Sequence, residues 1–359
     1  MHTINTRFVS VVVYLILSFA TGYTQNLPVR FEIREDNRGV DVFIGEENFT
    51  SYLVSNDLEK PVLFPVYAPG GIVITRGYPL APRAGERVDH PHHIGMWFNY
   101  GSVDGLDFWN NSSAIPDAEK HKYGTVRNYS FPEFEDGEKS GTLSAENFWI
   151  DKEESLHLRE RVIFIFSGTP ELRMIDRYTV LLPGSADSTV LLDNKEGLSA
   201  IRMDRAFEEP VTEPEIFTDA QGKPTGVPVL NNEGVNGVYR NSKGLTGGAV
   251  WGKRADWVAL SAQKDGRKIT VAMIDHPENF GYPAHWHARG YGLFSVNNFG
   301  SRVFVPTDPE QKLVVTYQSP VVLRHRTIIG DAAAITDKFL NKQFQVFSKA
   351  KGPKLNLMD

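Results

Sequence analysis

Leu156-His-Leu-Arg-Glu-Arg-Val-Ile-Phe-Ile-Phe166, then Ser167-Gly168-Thr169-Pro170, then Leu172-Arg-Met-Ile-Asp-Arg-Tyr-Thr-Val-Leu-Leu182. Each run alternates over a length that helical periodicity does not fit, and the turn residues between them predict a long β-hairpin. The same pattern recurs outward in both directions. Val29 to Arg34 and Val40 to Ile44 flank the turn at Asn37-Arg38-Gly39, and Val62 to Val66 and Gly71 to Thr75 predict a hairpin about Pro69-Gly70-Gly71. Downstream, Val258 to Leu260, Ile269 to Ile274 and Leu313 to Val322 continue the strands. Helical periodicity is confined to about Asp331 to Phe344. Long antiparallel strands over a chain of this length predict a mainly β fold, a large antiparallel sandwich with a short C-terminal helix. The stretch from Glu208 to Asn241, rich in Pro, Gly, Asn and Glu, reads as a long insertion. No linker composition separates two cores, so one catalytic domain is expected over 27–345, with a flexible tail at 346–359.

Arg7, the apolar run Phe8 to Ala20 and the small residues Ala20-Thr21-Gly22 have the layout of a cleaved secretory signal over 1–22. The run is shorter than the roughly 20 apolar residues that span a bilayer. A periplasmic or secreted protein without a membrane span is therefore expected. Cysteine is absent, which excludes disulfides, thiolate catalysis and cysteine-ligated metals. A net charge of −6 and the lack of a basic run argue against nucleic acid.

Six of the ten histidines lie in two segments, Asp89-His90-Pro91-His92-His93 and Asp275-His276-Pro277 through His285-Trp286-His287. Imidazole titrates near neutrality and binds metals, so such clustering points to chemistry. In a strand, His285 and His287 would project side by side from one face. Asp89 and Asp275 are either acceptors that orient the imidazoles or Asx-turn residues. His90 and His276 precede proline and could simply fix a turn. His121, His157 and His325 stand alone and are expected at the surface or satisfied in the core.

The block Asp89 to Phe98 (DHPHHIGMWF), followed by Val103-Asp104-Gly105-Leu106-Asp107-Phe108-Trp109, resembles the signature of a bacterial family labelled "methane oxygenase, PmoA-like". Asp193 to Gly197 with Ile201-Arg202, and Asp275 to Asn279 through Trp286 to Phe294, resemble its further blocks. The resemblance spans roughly residues 60 to 325. It implies a galactose-mutarotase-like supersandwich and a place in polysaccharide degradation. The true methane oxygenase subunit spans a membrane many times, and this sequence has no run long enough to do so. Members similar to this chain imply a dehydratase of ulvan-type oligosaccharides. Such a lyase removes water from a non-reducing-end uronic acid and leaves a 4,5-unsaturated sugar.

That chemistry needs a base near neutral pKa for the proton at C5, positive charge for the enolate, and an acid for the departing hydroxyl. The candidates for proton transfer are His92, His93, His285, His287 and Tyr291. Arg83, Arg87 and Arg289 could hold a carboxylate. Lys195, Glu196 and Arg202 are candidates for binding, and Trp97, Trp109 and Trp286 are either sugar platforms or core. A divalent metal ion on His285, His287 and His90 is a further expectation. Zinc would suit the nitrogens, whereas manganese or calcium would draw in Asp89 or Glu196. No organic cofactor is expected, and the partner is an acidic oligosaccharide. The alternatives are a non-catalytic sugar binder, another sugar enzyme (hydrolase or epimerase) and a histidine-ligated metal oxidoreductase.

Overall fold

The computed structural model describes residues 25–353; the expected signal segment and residues 354–359 lie outside them. Two nine-stranded antiparallel sheets form most of the described structure. The first runs Val29–Ile33, Gly39–Ile44, Glu47–Leu53, Val62–Ala68, Met96–Tyr100, Gly197–Arg202, Leu293–Asn297 and His285–Arg289, with Ile72–Val73 paired to Val62–Ala68. The second runs Val238–Asn241, Trp257–Lys264, Arg267–Asp275, Val321–Asp331, Leu172–Pro183, Leu156–Gly168, Gly141–Ile150 and Thr125–Asn128, with Glu133–Glu135 paired to Gly141–Ile150. Among the described residues no helix is long and apolar enough to cross a membrane.

The alternation that predicted the strands sets which side chains go inward. In Leu156–Gly168, residues Leu158, Val162, Phe164 and Phe166 are buried while their neighbours are half-exposed. Phe164 and Phe166 meet Val42, Phe49 and Val66 of the first sheet in one continuous core. Burial of such side chains contributes about 1.5–3 kcal/mol each. This is the predicted sandwich.

Three boundaries differ from expectation. The run Leu313 to Val322 is two strands: Lys312–Thr316 pairs with Ser188–Leu192 in a separate two-stranded sheet, and Val321–Asp331 joins the second large sheet. Pro320 lies at the break, where it cannot donate to a ladder. The helix is Asp337–Phe347 rather than 331 to 344, because the strand continues to Asp331 and Thr336 supplies the cap by accepting from the Phe339 backbone N–H. The expected tail at 346–359 therefore begins inside the helix. Phe347 is buried against the outer face of the second sheet with Tyr178, Trp257 and Ile328.

Candidate active site

Strand register builds the floor of the site. Ala200 pairs with Trp97 on one side and Ser295 on the other, Ser295 pairs with His287, and Leu293 pairs with both Arg202 and Arg289. Directly opposed residues share a face, so Trp97, Arg202, Leu293, His285, His287 and Arg289 point away from the sandwich core. Met96, Ile201, Phe294, Trp286 and Ala288 point into it. The predicted side-by-side projection of His285 and His287 is observed, since both rings lie against Phe304.

The segment from Arg76 to Gly95 folds onto that outer face. Gly95 has φ +56°, and a Cβ there would lie 2.3 Å from the Leu63 carbonyl, so glycine is needed for the approach. Arg76, fully buried, clasps the loop by donating to the backbone carbonyls of Asp89 (2.9 Å), His90 (2.9 Å) and His93 (3.1 Å) and to the Asp89 carboxylate. Arg202 donates to the same carboxylate at 2.7 Å. Burial would raise the Asp89 carboxyl, but Arg202, the His90 ring and Arg76 together hold it well below the usual carboxylate range. Asp89 thus stays ionised.

The other oxygen of Asp89 lies 2.9 Å from Nδ1 of His90. An ionised carboxylate only accepts, so Nδ1 carries the proton and the Nε2 lone pair of His90 is left available. The His90 side chain is 39% exposed. Its backbone has φ +42°, an uncommon conformation outside glycine of the kind that clusters at functional sites. The imidazole is sandwiched in a column of near-parallel rings: Trp97 to His93 at 5.2 Å, His93 to His90 at 4.8 Å, and His90 to Tyr291 at 4.8 Å. Over Tyr291 lie the guanidinium groups of Arg202, Arg289 and Arg87, at 4.9, 5.7 and 5.9 Å. Burial pushes the Tyr291 hydroxyl up to about 12, so it keeps its proton at neutral pH.

His92 and His93, expected to transfer protons, are buried beneath this layer. Nδ1 of His93 accepts from Arg202 at 3.3 Å, which leaves its Nε2 as a buried donor without a partner among the described residues. Burial pulls His92 down to about 2, with Lys60 adding to the effect, and His93 well below its ordinary value. Both are neutral props of the ring column. Lys60 itself is buried beside Trp97 and donates to the His92 carbonyl at 2.7 Å.

Among the described residues no hydrogen bond, ion pair or ring contact joins the two histidine segments directly. Nδ1 of His287 lies 3.0 Å from the Lys195 carbonyl and 3.7 Å from the Glu196 carboxylate. His285 is turned aside, with Nδ1 on the Gly252 carbonyl at 2.8 Å and its ring stacked on Phe304. Among the described residues no group of three or more His, Asp or Glu side chains is placed to hold a metal ion. The expected set of His90, His285 and His287 is therefore not assembled among the described residues: His285 stacks its ring on Phe304 and turns Nδ1 to the Gly252 carbonyl. The second Asp-His-Pro is structural. Asp275 accepts from the backbone of His276 and Ala284 and from Asn279 and Asn298, and His276 packs edge-on against Phe347.

The expected binding residues divide. Trp97, Trp109 and Trp286 are buried core side chains and offer no face to a sugar. Arg83 is spent on Glu86, Asp204 and the Thr75 carbonyl. Lys195 is exposed and pairs with Glu196 at 3.5 Å, and burial raises the Glu196 carboxyl against that pairing. Arg87, Arg289 and Tyr291 line a cleft of about 420 Å³ together with Glu209, Pro210, Val211 and Trp251. Of the isolated histidines, His121 is exposed, His157 bridges Asp104 and Asp151, and His325 is buried on Asn298.

Sequence patterns did not single out Arg76, Glu208, Glu209 or Trp251. Glu208 comes from the long insertion and is buried between Arg202, Arg87 and Arg205, at 3.8, 3.8 and 3.5 Å. Burial pushes its carboxyl up to about 7 against the pull of Arg202 and Arg87.

A family described as "Family of unknown function (DUF6807)" matches residues 39–345, the span that contains every residue of the site. No curated protein matches the chain. Among solved structures, the chain is similar to the glycoside hydrolase family 36 α-galactosidase AgaA from Geobacillus stearothermophilus, at 11% identity and a TM-score of 0.38, over 86% of this chain and 41% of that one. It is also similar to the galactosidase domain of the α-galactosidase–sucrose kinase AgaSK, at 8% identity and a TM-score of 0.34, over 84% of this chain and 42% of that one. The chain thus spans less than half the length of these proteins, and likeness at this level carries no statement about activity.

Proposed function

We propose that this chain, which belongs to the DUF6807 family, is a carbohydrate-active lyase that dehydrates a uronic acid at the non-reducing end of an oligosaccharide. The observation that supports this most is the Asp89–His90 pair, which presents one imidazole with a fixed tautomer beneath a tyrosine ringed by arginines. Nε2 of His90 takes the proton from C5, α to the sugar carboxylate. The C5–H electron pair becomes the C4–C5 double bond and the C4–O bond breaks. Tyr291 donates its proton to the departing hydroxyl, which leaves as water. His90 then passes its proton on and Tyr291 is reprotonated, so the net change is the loss of one water.

Arg289 opposes the charge that develops on the carboxylate during proton removal, and a fixed charge of this kind acts without reorganisation. Asp89 holds His90 in the productive tautomer and stabilises the imidazolium, as carboxylates do in other acid–base pairs. The signal expected at 1–22 supports a periplasmic or extracellular setting for this reaction.

The test is incubation with saturated uronic-acid oligosaccharides. Growth of the ultraviolet absorbance of a 4,5-unsaturated uronate, with a mass loss of one water, is the expected result. Absence of that product across ulvan, alginate and glycosaminoglycan oligomers overturns the assignment. A His90→Gln variant separates enzyme from binder: turnover should fall by about a hundred-fold or more while the oligosaccharide still binds.

A further inference from the structure

The cleft beside Tyr291 contains two charged side chains that the protein leaves unanswered. Arg289 is exposed, and among the described residues its guanidinium has no carboxylate partner and no hydrogen-bond acceptor. The neighbouring arginines differ: Arg76 and Arg202 are spent on Asp89, and Arg87 on Glu215. Arg289 is nevertheless positioned. Its guanidinium lies 5.8 Å from the Trp251 ring and 5.7 Å from the Tyr291 ring. Contacts of this kind leave N–H groups of the guanidinium free for an oxyanion.

The same cleft is lined by Glu209. It makes no side-chain hydrogen bond or ion pair among the described residues, and burial raises its carboxyl. Its oxygens fit against Gly247 and Gly290, where an added Cβ would approach to 3.5 and 3.1 Å. Pro210 and Val211 supply an apolar wall.

A cation, a carboxyl able to bond hydroxyls and an apolar wall together match one chemical class. We infer that this cleft is a subsite for an anionic pyranose, with its oxyanion on Arg289, hydroxyls on Glu209 and a ring face on Pro210 and Val211. The inference rests on the proposed function and adds where the charged sugar is held. The oxyanion can be a carboxylate or a sulfate ester, and the two sources are separable by probe.

The experiment is calorimetric titration of wild type, Arg289→Met and Glu209→Gln with three tetrasaccharides: a saturated uronate oligomer, a sulfated neutral galactan and an uncharged cello-oligomer. Wild type should prefer one or both anionic probes by about ten-fold or more, the scale of a charge-assisted hydrogen bond. Whichever anionic probe is preferred identifies the source. Arg289→Met should abolish the preference, and Glu209→Gln should weaken the charged and uncharged probes alike. Equal binding of all three probes, binding of none, or a preference that survives Arg289→Met overturns the subsite. Arg289-dependent binding without unsaturated product would remove the dehydratase and keep the subsite. Product formation with KM unchanged in Arg289→Met would do the reverse.

Discussion

Acidification from about pH 7.5 to about pH 5.5 should cost this fold about 2–3 kcal/mol. Four of the six buried histidines carry most of the loss: burial pulls His92 down to about 2 and His287 and His325 to about 3, and holds His93 well below its ordinary value. A group whose folded pKa is depressed contributes stability above its unfolded pKa, near 6.5 for histidine, and loses it as pH falls. At about pH 5.5 each unfolded histidine is mostly protonated while its folded counterpart is not. Each therefore costs about 1.4 kcal/mol, or about 5 kcal/mol for the four. Two carboxyls oppose them most strongly. Burial raises Glu208 to about 7 and Asp275 to about 6, and groups raised in this way gain stability as pH falls through those values. They return about 3 kcal/mol over the same interval. The assay is urea unfolding at three pH values across that range at constant ionic strength, with the m-value checked for constancy. Replacing His325 by Gln should flatten the profile by about 1 kcal/mol. A midpoint that stays level or rises on acidification would refute the reasoning, because it would mean that these imidazoles are not held neutral.

Asp89→Asn keeps the shape of the hub but removes its charge. It should lower kcat by about a hundred-fold or more through the wrong His90 tautomer, with circular dichroism showing a folded protein. Trp97→Ala should lower stability by about 3–5 kcal/mol, read as an earlier urea midpoint, since its ring is core and not a platform. Arg83→Ala should leave kcat/KM within about two-fold of wild type, because that guanidinium answers Glu86 and Asp204 and not the substrate; a loss of an order of magnitude would place it in the site after all.

The sheets were legible because alternation maps directly onto burial, as in Leu156–Gly168. The pairing of His285 and His287 on one face followed from the same period of two. What the sequence hides is which far-apart loops land on that face. Arg76 is one residue in a plain stretch, yet it organises Asp89, His90 and His93. Glu208 and Glu209 lie in a composition that reads only as insertion. Residue type also says little about facing: Trp97 and Trp251 are alike as letters, but one is core and the other borders the cleft. The histidines show the same limit, because His90 and His92 differ in role through a hydrogen bond to Asp89 and a few ångströms of depth.

The inward and outward alternation along His285–Arg289 also limits how this chain can change in length. One residue inserted just before His285 would turn Trp286 and Ala288 outward and drive His287 and Arg289 into apolar packing. Two inserted residues would restore the faces but slide every partner on Leu293–Asn297. Substitution is the only change that strand can absorb. The stretch Lys223–Leu230 is exposed throughout, and between its backbone bonds at Thr225 and Val229 it can lengthen at little cost, since doubling a loop adds only about 0.6 kcal/mol. Natural variation in chain length should therefore collect in that insertion, while the spacing from His285 to Arg289 stays fixed.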